Sequence, residues 1–126
     1  MVAAYDILFD SGPPAERAHQ TGVTAARNAA QAAREADVVI SAVTADAMLD
    51  VAREAQTYLK AGQHFFDINS ASPSTKTRAA EIVNKTGAHY IKGAVMAAVL
   101  APGIAVPILA GGAAAADFAA CMNAIG

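Results

Sequence analysis

The sequence predicts an α/β fold, in which helices cover a mostly parallel sheet, in one domain spanning residues 1–126. Short apolar, β-branched runs alternate with stretches of helical spacing, and the connections between them are short. Hydrophobic residues make up 55% and charged residues 16% of the chain, which is enough apolar surface for a buried core. No internal repeat or linker divides the chain, so we expect a single domain.

The first third of the sequence predicts short elements separated by strong turn signals. An apolar run interrupted by one acid predicts a strand over residues 2–9, and prolines and glycine then predict a turn over residues 10–14. A short helix over residues 15–20, a minimal strand over residues 22–24 and an alanine-rich helix over residues 25–36 follow.

The remaining elements are predicted more clearly, beginning with an uninterrupted β-branched run over residues 38–43 that is typical of a strand buried on both faces. After it we expect a helix capped by Thr44 and ended by Gly62, and then a strand over 65–68. A helix from Pro73 to about Asn84 and strands at 89–92 and 106–110 follow. The last helix carries its apolar residues on one side, namely Phe118, Ala119, Met122 and Ile125.

Polar residues follow the predicted strand over residues 65–68, where a helix is about to begin. Ser72 is a good N-cap and Pro73 suits the first helical position. Ligands of open α/β sheets bind just past the carboxyl ends of strands. Asp67, Asn69 and Ser70 therefore stand where hydrogen-bonding groups would meet a ligand.

Composition limits the partners of the chain. Its 9 basic and 11 acidic residues give a net charge of −2, without a basic cluster, which argues against nucleic-acid binding. A single cysteine, Cys121, excludes an intrachain disulfide and is expected in the core. The three histidines show no metal-ligand spacing, so we predict no metal site. No signal peptide is recognisable, and a cytoplasmic location is expected.

Residues 93–116 carry no charge and are long enough to span a membrane. Pro102, Gly103 and Pro107 interrupt this segment, and much of the remainder is alanine. Two strands joined by a loop is therefore the better interpretation, and we expect no membrane insertion.

The glycines form no G-x-G-x-x-G or P-loop pattern, and no serine stands in G-x-S-x-G. Four segments nevertheless resemble the N-terminal NAD(P)-binding, Rossmann-like domain of the β-hydroxyacid dehydrogenases, which include 3-hydroxyisobutyrate and 6-phosphogluconate dehydrogenases. Residues 4–6 resemble the end of the second Rossmann strand and residues 37–44 the fourth strand. Residues 67–73 resemble the substrate motif Asp-x-Ser-Thr-x-x-Pro, and 93–97 with 106–112 the strands that lead to the second domain.

The resemblance implies roles for six residues. Asp6 would bind the cofactor ribose, and Ile7, where NADP-dependent enzymes have arginine, favours NAD over NADP. Ala42, Val43 and Thr44 would line the cofactor, while Asn69 and Ser70 would hold a small hydroxy-acid substrate. The residues by themselves also allow a plainer interpretation, in which Asp6 is a loop acid and Asn69-Ser70 are turn formers.

The sequence also departs from the family pattern at positions that the activity requires. The chain begins at what resembles the second strand, without the first βα unit and its glycine loop. Ala97-Ala98 replace the substrate glycine pair, and Met96 stands where serine is common. The catalytic lysine belongs to a helical second domain, so we predict no catalytic residue in this chain and no hydride transfer by it alone. We expect this chain to bind NAD or NADP weakly, if at all.

Without that first strand, the second and fourth strands would expose unpaired edges. Three outcomes are possible: the two strands pair directly, a partner fills the gap, or the chain is a fragment of a longer protein. We expect a homo-oligomer or a strand-exchanged dimer. The leading hypothesis is a truncated NAD(P)-binding domain of an oxidoreductase. The alternative is a non-catalytic α/β module that self-associates through a strand edge, and a membrane-associated protein is a third.

Overall fold

The computed structural model describes residues 1–125, without the side chains of Ser11 and Ala15. Within this range the elements are β1 (Ala3–Ala4), α1 (Pro13–Gln20), β2 (Thr24–Ala25), α2 (Ala29–Ala33), β3 (Val38–Ser41), α3 (Met48–Ala55), β4 (His64–Asp67), α4 (Pro73–Asn84), β5 (His89–Val95), β6 (Ile108–Gly111) and α5 (Ala115–Asn123).

The strands form two sheets. The larger sheet has the order β3-β4-β5-β6, with parallel pairs except for the antiparallel β5–β6 pair, and the smaller sheet is a parallel β1–β2 pair. Helices connect the parallel strands, as such crossovers require. The predicted α/β class with a mostly parallel, helix-covered sheet is confirmed.

One face of the larger sheet carries the main core, against α3 and α4. The predicted N-cap of α4 is confirmed, because the Ser72 hydroxyl accepts a hydrogen bond from the Thr75 amide at 3.2 Å, with Pro73 in the first turn. The buried residues of this core are Met48, Ala52, Ala55, Leu59, Phe65, Ala79, Val83, Ala88 and Tyr90. Their alanines allow the helices to lie close to the sheet.

The opposite face of the larger sheet is covered by α5. Phe66 and Ile91 point to this side and pack against Phe118, whose ring centroid lies 4.5 Å from that of Phe66. Of the predicted apolar side of the last helix, Phe118 is buried, but Ile125 lies beyond the end of α5 and is exposed. Cys121, expected in the core, is only half-buried and has a free thiol.

The strand predicted over residues 2–9 is wrong beyond Ala4. A carboxylate oxygen of Asp6 accepts a hydrogen bond from the Leu8 amide at 2.8 Å, and the Asp6 carbonyl accepts one from the Phe9 amide at 3.0 Å. Both bonds favour a turn, as aspartate does generally. The helix predicted over 25–36 is likewise shorter, because Asn28 caps α2 by accepting a bond from the Gln31 amide at 2.8 Å.

Thr44 does not cap the following helix, contrary to prediction. The Ala47 amide donates instead to the Thr44 carbonyl at 3.1 Å, and α3 begins only at Met48. The helix also ends at Ala55, well before Gly62, which occupies a turn with φ of 86°.

A gap separates the two sheets, because no ladder joins β1 to β3 within residues 1–125. The carbonyls of Asp37 and Ser41 accept bonds from β4, so alternate residues of β3 direct their backbone groups away from β4. The carbonyls of Val2 and Ala4 accept bonds from the β2 side in the same way. Direct pairing of these two strands, one of the three expected outcomes, is not observed.

The sequence predicts that β3 is buried on both faces, and this is wrong beside the gap. The Ile40 side chain is 54% exposed there. The uncharged segment 93–116 forms the end of β5, a turn, β6 and the start of α5. No helix in the described part of the chain is both long and apolar enough to cross a membrane.

Gly93 provides a test of the packing between β5 and the core. A Cβ atom at Gly93 would lie 2.5 Å from Cε2 of Phe66 and 3.2 Å from Cγ2 of Ile68. Overpacking of this kind costs about 1–3 kcal/mol, so Gly93→Ala should lower the free energy of unfolding in urea by that amount. The control is Gly111→Ala, where the added Cβ meets only the flexible end of Lys92 and the loss should stay below about 1 kcal/mol. Equal losses in the two variants would contradict this description of the packing.

Candidate functional site

A cleft of about 430 Å³ lies beyond the carboxyl ends of β3 and β4. Its walls are two loops, one following each strand, so that the sheet places both at one edge. The lining residues are Ala42, Val43, Thr44, Ala45, Ile68, Asn69 and Ser70. Five of the six residues singled out from the sequence therefore meet in one cleft. Asp6 is not among the lining residues.

Asn69 joins the two walls of the cleft. Its side chain is buried, and its amide oxygen accepts a hydrogen bond from the Val43 amide at 2.5 Å. Its amide nitrogen donates to the Ser41 hydroxyl at 3.1 Å. Both ends of the Asn69 side chain are thus used within the protein, and they fix the loop after β3 against the loop after β4.

Ser70 and Thr44 offer the hydroxyl groups of the cleft. Ser70 is exposed, and its hydroxyl makes no hydrogen bond to any part of the described chain, so it is available to a ligand. The Thr44 side chain hydrogen-bonds to Asp46, and this bond is the main reason that the pKa of the Asp46 carboxyl lies below its ordinary value. Of these two hydroxyls, that of Ser70 is therefore the one without a partner in the described chain.

Beneath the cleft lies a buried carboxylate, Asp67, which is 0% exposed. One of its oxygens accepts the Asn69 backbone amide at 2.8 Å, and the other accepts the Tyr90 hydroxyl. A buried carboxylate without such donors would be strongly destabilising. Burial, and then the bond to the Asp67 carboxylate, raises the pKa of the Tyr90 hydroxyl, which stays protonated and remains a donor.

Lys76 supplies the positive charge nearest to Asp67. Its ammonium nitrogen lies 3.9 Å from a carboxylate oxygen of Asp67 and donates to the carbonyl of Gly93 at 3.1 Å. It also reaches the Asp67 carbonyl at 3.5 Å. Lys76, on the first turns of α4, thereby connects the ends of β4 and β5.

Asp6 lies near the carboxyl end of β1 and is exposed. One carboxylate oxygen holds the Leu8 amide, and the other has no partner within residues 1–125. This position is compatible with a ribose acceptor and equally with a turn acid.

A second cleft, of about 360 Å³, lies at the opposite, amino-terminal ends of β3 and β4. Gln63 is a buried lining residue of this cleft, and its side-chain amide nitrogen donates to the carbonyls of Ala33 and Ala36 at 2.8 and 2.7 Å. The polar atoms of the Gln63 side chain are hydrogen-bonded within the protein, so they are not available to a ligand in this cleft. Among the described residues, no group of three His, Cys, Asp or Glu side chains could hold a metal ion.

The sequence reasoning did not find the support beneath the cleft, which Ser41, Lys76 and Tyr90 build together with Asp67. Asp67 carries a signal, as the first polar residue after an apolar run, but the sequence predicts that it meets a ligand, and this is wrong because the structure buries it with both carboxylate oxygens bonded inside the protein. The contribution of Tyr90 depends on the pairing of Phe65 with Tyr90 in the β4–β5 register, which no local pattern reveals.

Solved structures of similar fold are longer than this chain. A conserved hypothetical protein from Sinorhizobium meliloti is 38% identical, with a TM-score of 0.91 over 98% of this chain and 42% of its own. A conserved protein of unknown function, described as structurally similar to 3-hydroxyacid dehydrogenases, is 30% identical, with a TM-score of 0.76 over 94% of this chain and 43% of its own. The chain thus spans less than half of each.

Mycobacterium tuberculosis 3-hydroxyisobutyrate dehydrogenase, solved with L-serine, shares the fold at 21% identity and a TM-score of 0.82, over 97% of this chain and 42% of its own. No curated protein matches the sequence. The family model for the NAD binding domain of 6-phosphogluconate dehydrogenase matches residues 2–125. With this match over nearly its whole length, and with the Rossmann-like α/β fold, the chain belongs to the family of 6-phosphogluconate dehydrogenase NAD-binding domains.

Proposed function

We propose that this chain holds a nicotinamide dinucleotide in the cleft beyond β3 and β4, as the cofactor-binding part of an oxidoreductase that acts on a small hydroxy acid. The observation that supports this most directly is the convergence of residues 42–44 and 69–70 on one cleft in a chain of this family. Such crevices are where open α/β sheets bind their ligands.

The residues present fit part of such a cofactor. The cleft is within the size range of small-molecule sites and combines apolar lining residues, Ala42, Val43 and Ile68, with the free hydroxyl of Ser70. Asp6 offers a carboxylate to ribose hydroxyls at the end of another parallel strand. The sequence has no G-x-G-x-x-G turn to receive a pyrophosphate, so the fit covers the two ends of a dinucleotide and not its centre.

Each part of the chain then has a limited task. Asp6 would accept hydrogen bonds from the adenosine ribose, and Ala42, Val43 and Thr44 would form the wall beside the cofactor. Ser70, with Asn69 behind it, would contact the substrate. A bound nicotinamide supplies hydride chemistry, and we assign the proton-transferring group to a part of the enzyme outside these residues.

We further propose that a strand from outside residues 1–126 lies between β1 and β3 in the intact enzyme. The support is the unpaired backbone groups that border the gap on both sides, together with the greater length of the similar solved structures. A parallel strand there would continue both sheets and complete the binding edge.

NADH titration tests the cofactor proposal. Nicotinamide fluorescence should reveal binding, with NADH bound more tightly than NADPH because Ile7 supplies no cation for a 2′-phosphate. Asp6→Asn keeps an oxygen for the Leu8 amide but removes the charge, and should weaken NADH binding about tenfold or more. Asp10→Asn is the matched control, because Asp10 is exposed in the same segment and should leave affinity unchanged.

Absence of binding at millimolar NADH would refute the cofactor proposal for this chain. Tighter binding of NADPH would refute only the preference for NAD. Equal losses in the Asp6 and Asp10 variants would remove Asp6 from the site and leave the cleft residues to account for any affinity.

The exposed edges favour a second property, self-association of the chain. Ile40 is 54% exposed on the open edge of β3, where a lysine would oppose strand pairing. We expect sedimentation velocity to find a dimer that Ile40→Lys dissociates. Ile104→Lys, at a side chain that is 83% exposed in the turn before β6, should leave the dimer intact. A monomer at every concentration would exclude association through this edge.

A further inference from the structure

A continuous series of hydrogen bonds runs from the core of the protein to the wall of the cleft. The Tyr90 hydroxyl donates to Asp67, and Asp67 accepts the Asn69 backbone amide at 2.8 Å. The Asn69 side chain then accepts the Val43 amide at 2.5 Å and donates to Ser41. Three strands, β3, β4 and β5, are thus connected by side chains beneath one loop.

We propose that Tyr90 and Asp67 are positioning residues that set the geometry of the Val43 loop from the neighbouring strand β5, through Asn69. In this arrangement Asn69 does not contact the ligand, and Ser70 is the contact residue of the pair. The consequence for cofactor affinity rests on the proposed function, whereas the positioning itself is a property of the free chain.

Tyr90 is a suitable anchor because it is held in three places. Its ring stacks on Phe65 with centroids 6.1 Å apart, and its backbone amide donates to the Asn84 side chain at 3.0 Å. Its hydroxyl is the third point, and only 6% of the residue is exposed. A donor held in this way fixes the Asp67 carboxylate in one orientation.

Asp67 cannot easily adopt another orientation. It is buried, and its two oxygens serve different donors, so that a rotation would lose both bonds at once. The Lys76 ammonium lies 3.9 Å from the carboxylate oxygen that also accepts the Asn69 backbone amide, and it adds an attractive contact on that side of Asp67. Asp67 therefore fixes the backbone of Asn69, and this backbone in turn orients the Asn69 side chain toward the loop after β3.

The effect on the cleft is specific. The Val43 amide is occupied by Asn69 and is not a free donor, while Ser70, next in sequence, keeps its hydroxyl exposed toward the cleft. Loss of the Tyr90 hydroxyl should leave the sheet intact and loosen only this corner, because the pairing of Phe65 with Tyr90 does not require it.

Amide hydrogen exchange, followed by NMR on the free chain, tests the proposal. In Tyr90→Phe we expect the Val43 and Asn69 amides to exchange about fivefold faster or more, the effect of losing one net hydrogen bond. The Phe66 amide, within the β3–β4 ladder, should be unchanged. The matched control is Tyr58→Phe, which removes a hydroxyl from a tyrosine packed against the same core and should leave Val43 unaffected.

Three further variants, at Asn69 and Asp67, keep the proposal testable if Tyr90→Phe folds poorly. Asn69→Ala should accelerate exchange at Val43 without affecting the Tyr90 amide. Asp67→Asn keeps an acceptor oxygen and should give a smaller effect at Val43 than Asp67→Ala. Unchanged exchange at Val43 in Tyr90→Phe, or equal acceleration throughout the sheet, would overturn the proposal.

NADH affinity separates this proposal from the proposed function. If the exchange results hold and Tyr90→Phe also weakens NADH binding severalfold, the positioning acts on the cofactor site. If the exchange results hold but the unaltered chain binds no NADH, the positioning stands and the cofactor function fails. If Asn69→Ala weakens binding much more than Tyr90→Phe and Asp67→Asn together, Asn69 contacts the ligand and the division between Asn69 and Ser70 is wrong.

Discussion

The buried carboxylate of Asp67 holds together the carboxyl-terminal edge of β3, β4 and β5, where the cleft lies. A carboxylate with no exposure is tolerated only when donors or opposite charges surround it, and here they come from the loop after β4, from β5 and from α4. Because these donors belong to different elements, satisfying Asp67 also fixes the relative positions of the elements. The cleft above it is formed by the loops after β3 and β4, which the Asn69 side chain also joins.

The N-terminal sheet contrasts with this corner. Strands β1 and β2 are short and pair only with each other within the described residues, and the edges that face the gap have no strand partner. The open edges of β1 and β3 are therefore compatible with the match to a cofactor-binding domain if a further strand lies between them. A non-catalytic module would explain the edge but not the cleft.

The sequence predicted elements well where the signal is local. The Ser72-Pro73 cap fixes the start of α4, and the apolar run before Asp67 predicts β4 almost to the residue. It failed where a side chain redirects the backbone, as Asp6 does by turning the predicted first strand after Ala4.

The cleft residues were predictable because strand ends are recognisable and because the chain resembles a known family. The function of Asn69 was not, since its partner Val43 lies 26 residues away and only the β3–β4 pairing brings the two together. The same applies to Tyr90, whose hydroxyl meets Asp67 across the β4–β5 register.

We propose that the cleft beyond β3 and β4, held by the Asp67 network, is the site at which this chain binds a nicotinamide cofactor. Mapping of backbone amide shifts during an NADH titration tests it most directly. We expect the largest shifts within residues 42–45 and 68–70, the two walls of the cleft. Shifts concentrated instead around Arg34, Lys60 and Gln63, at the opposite ends of the strands, would contradict it.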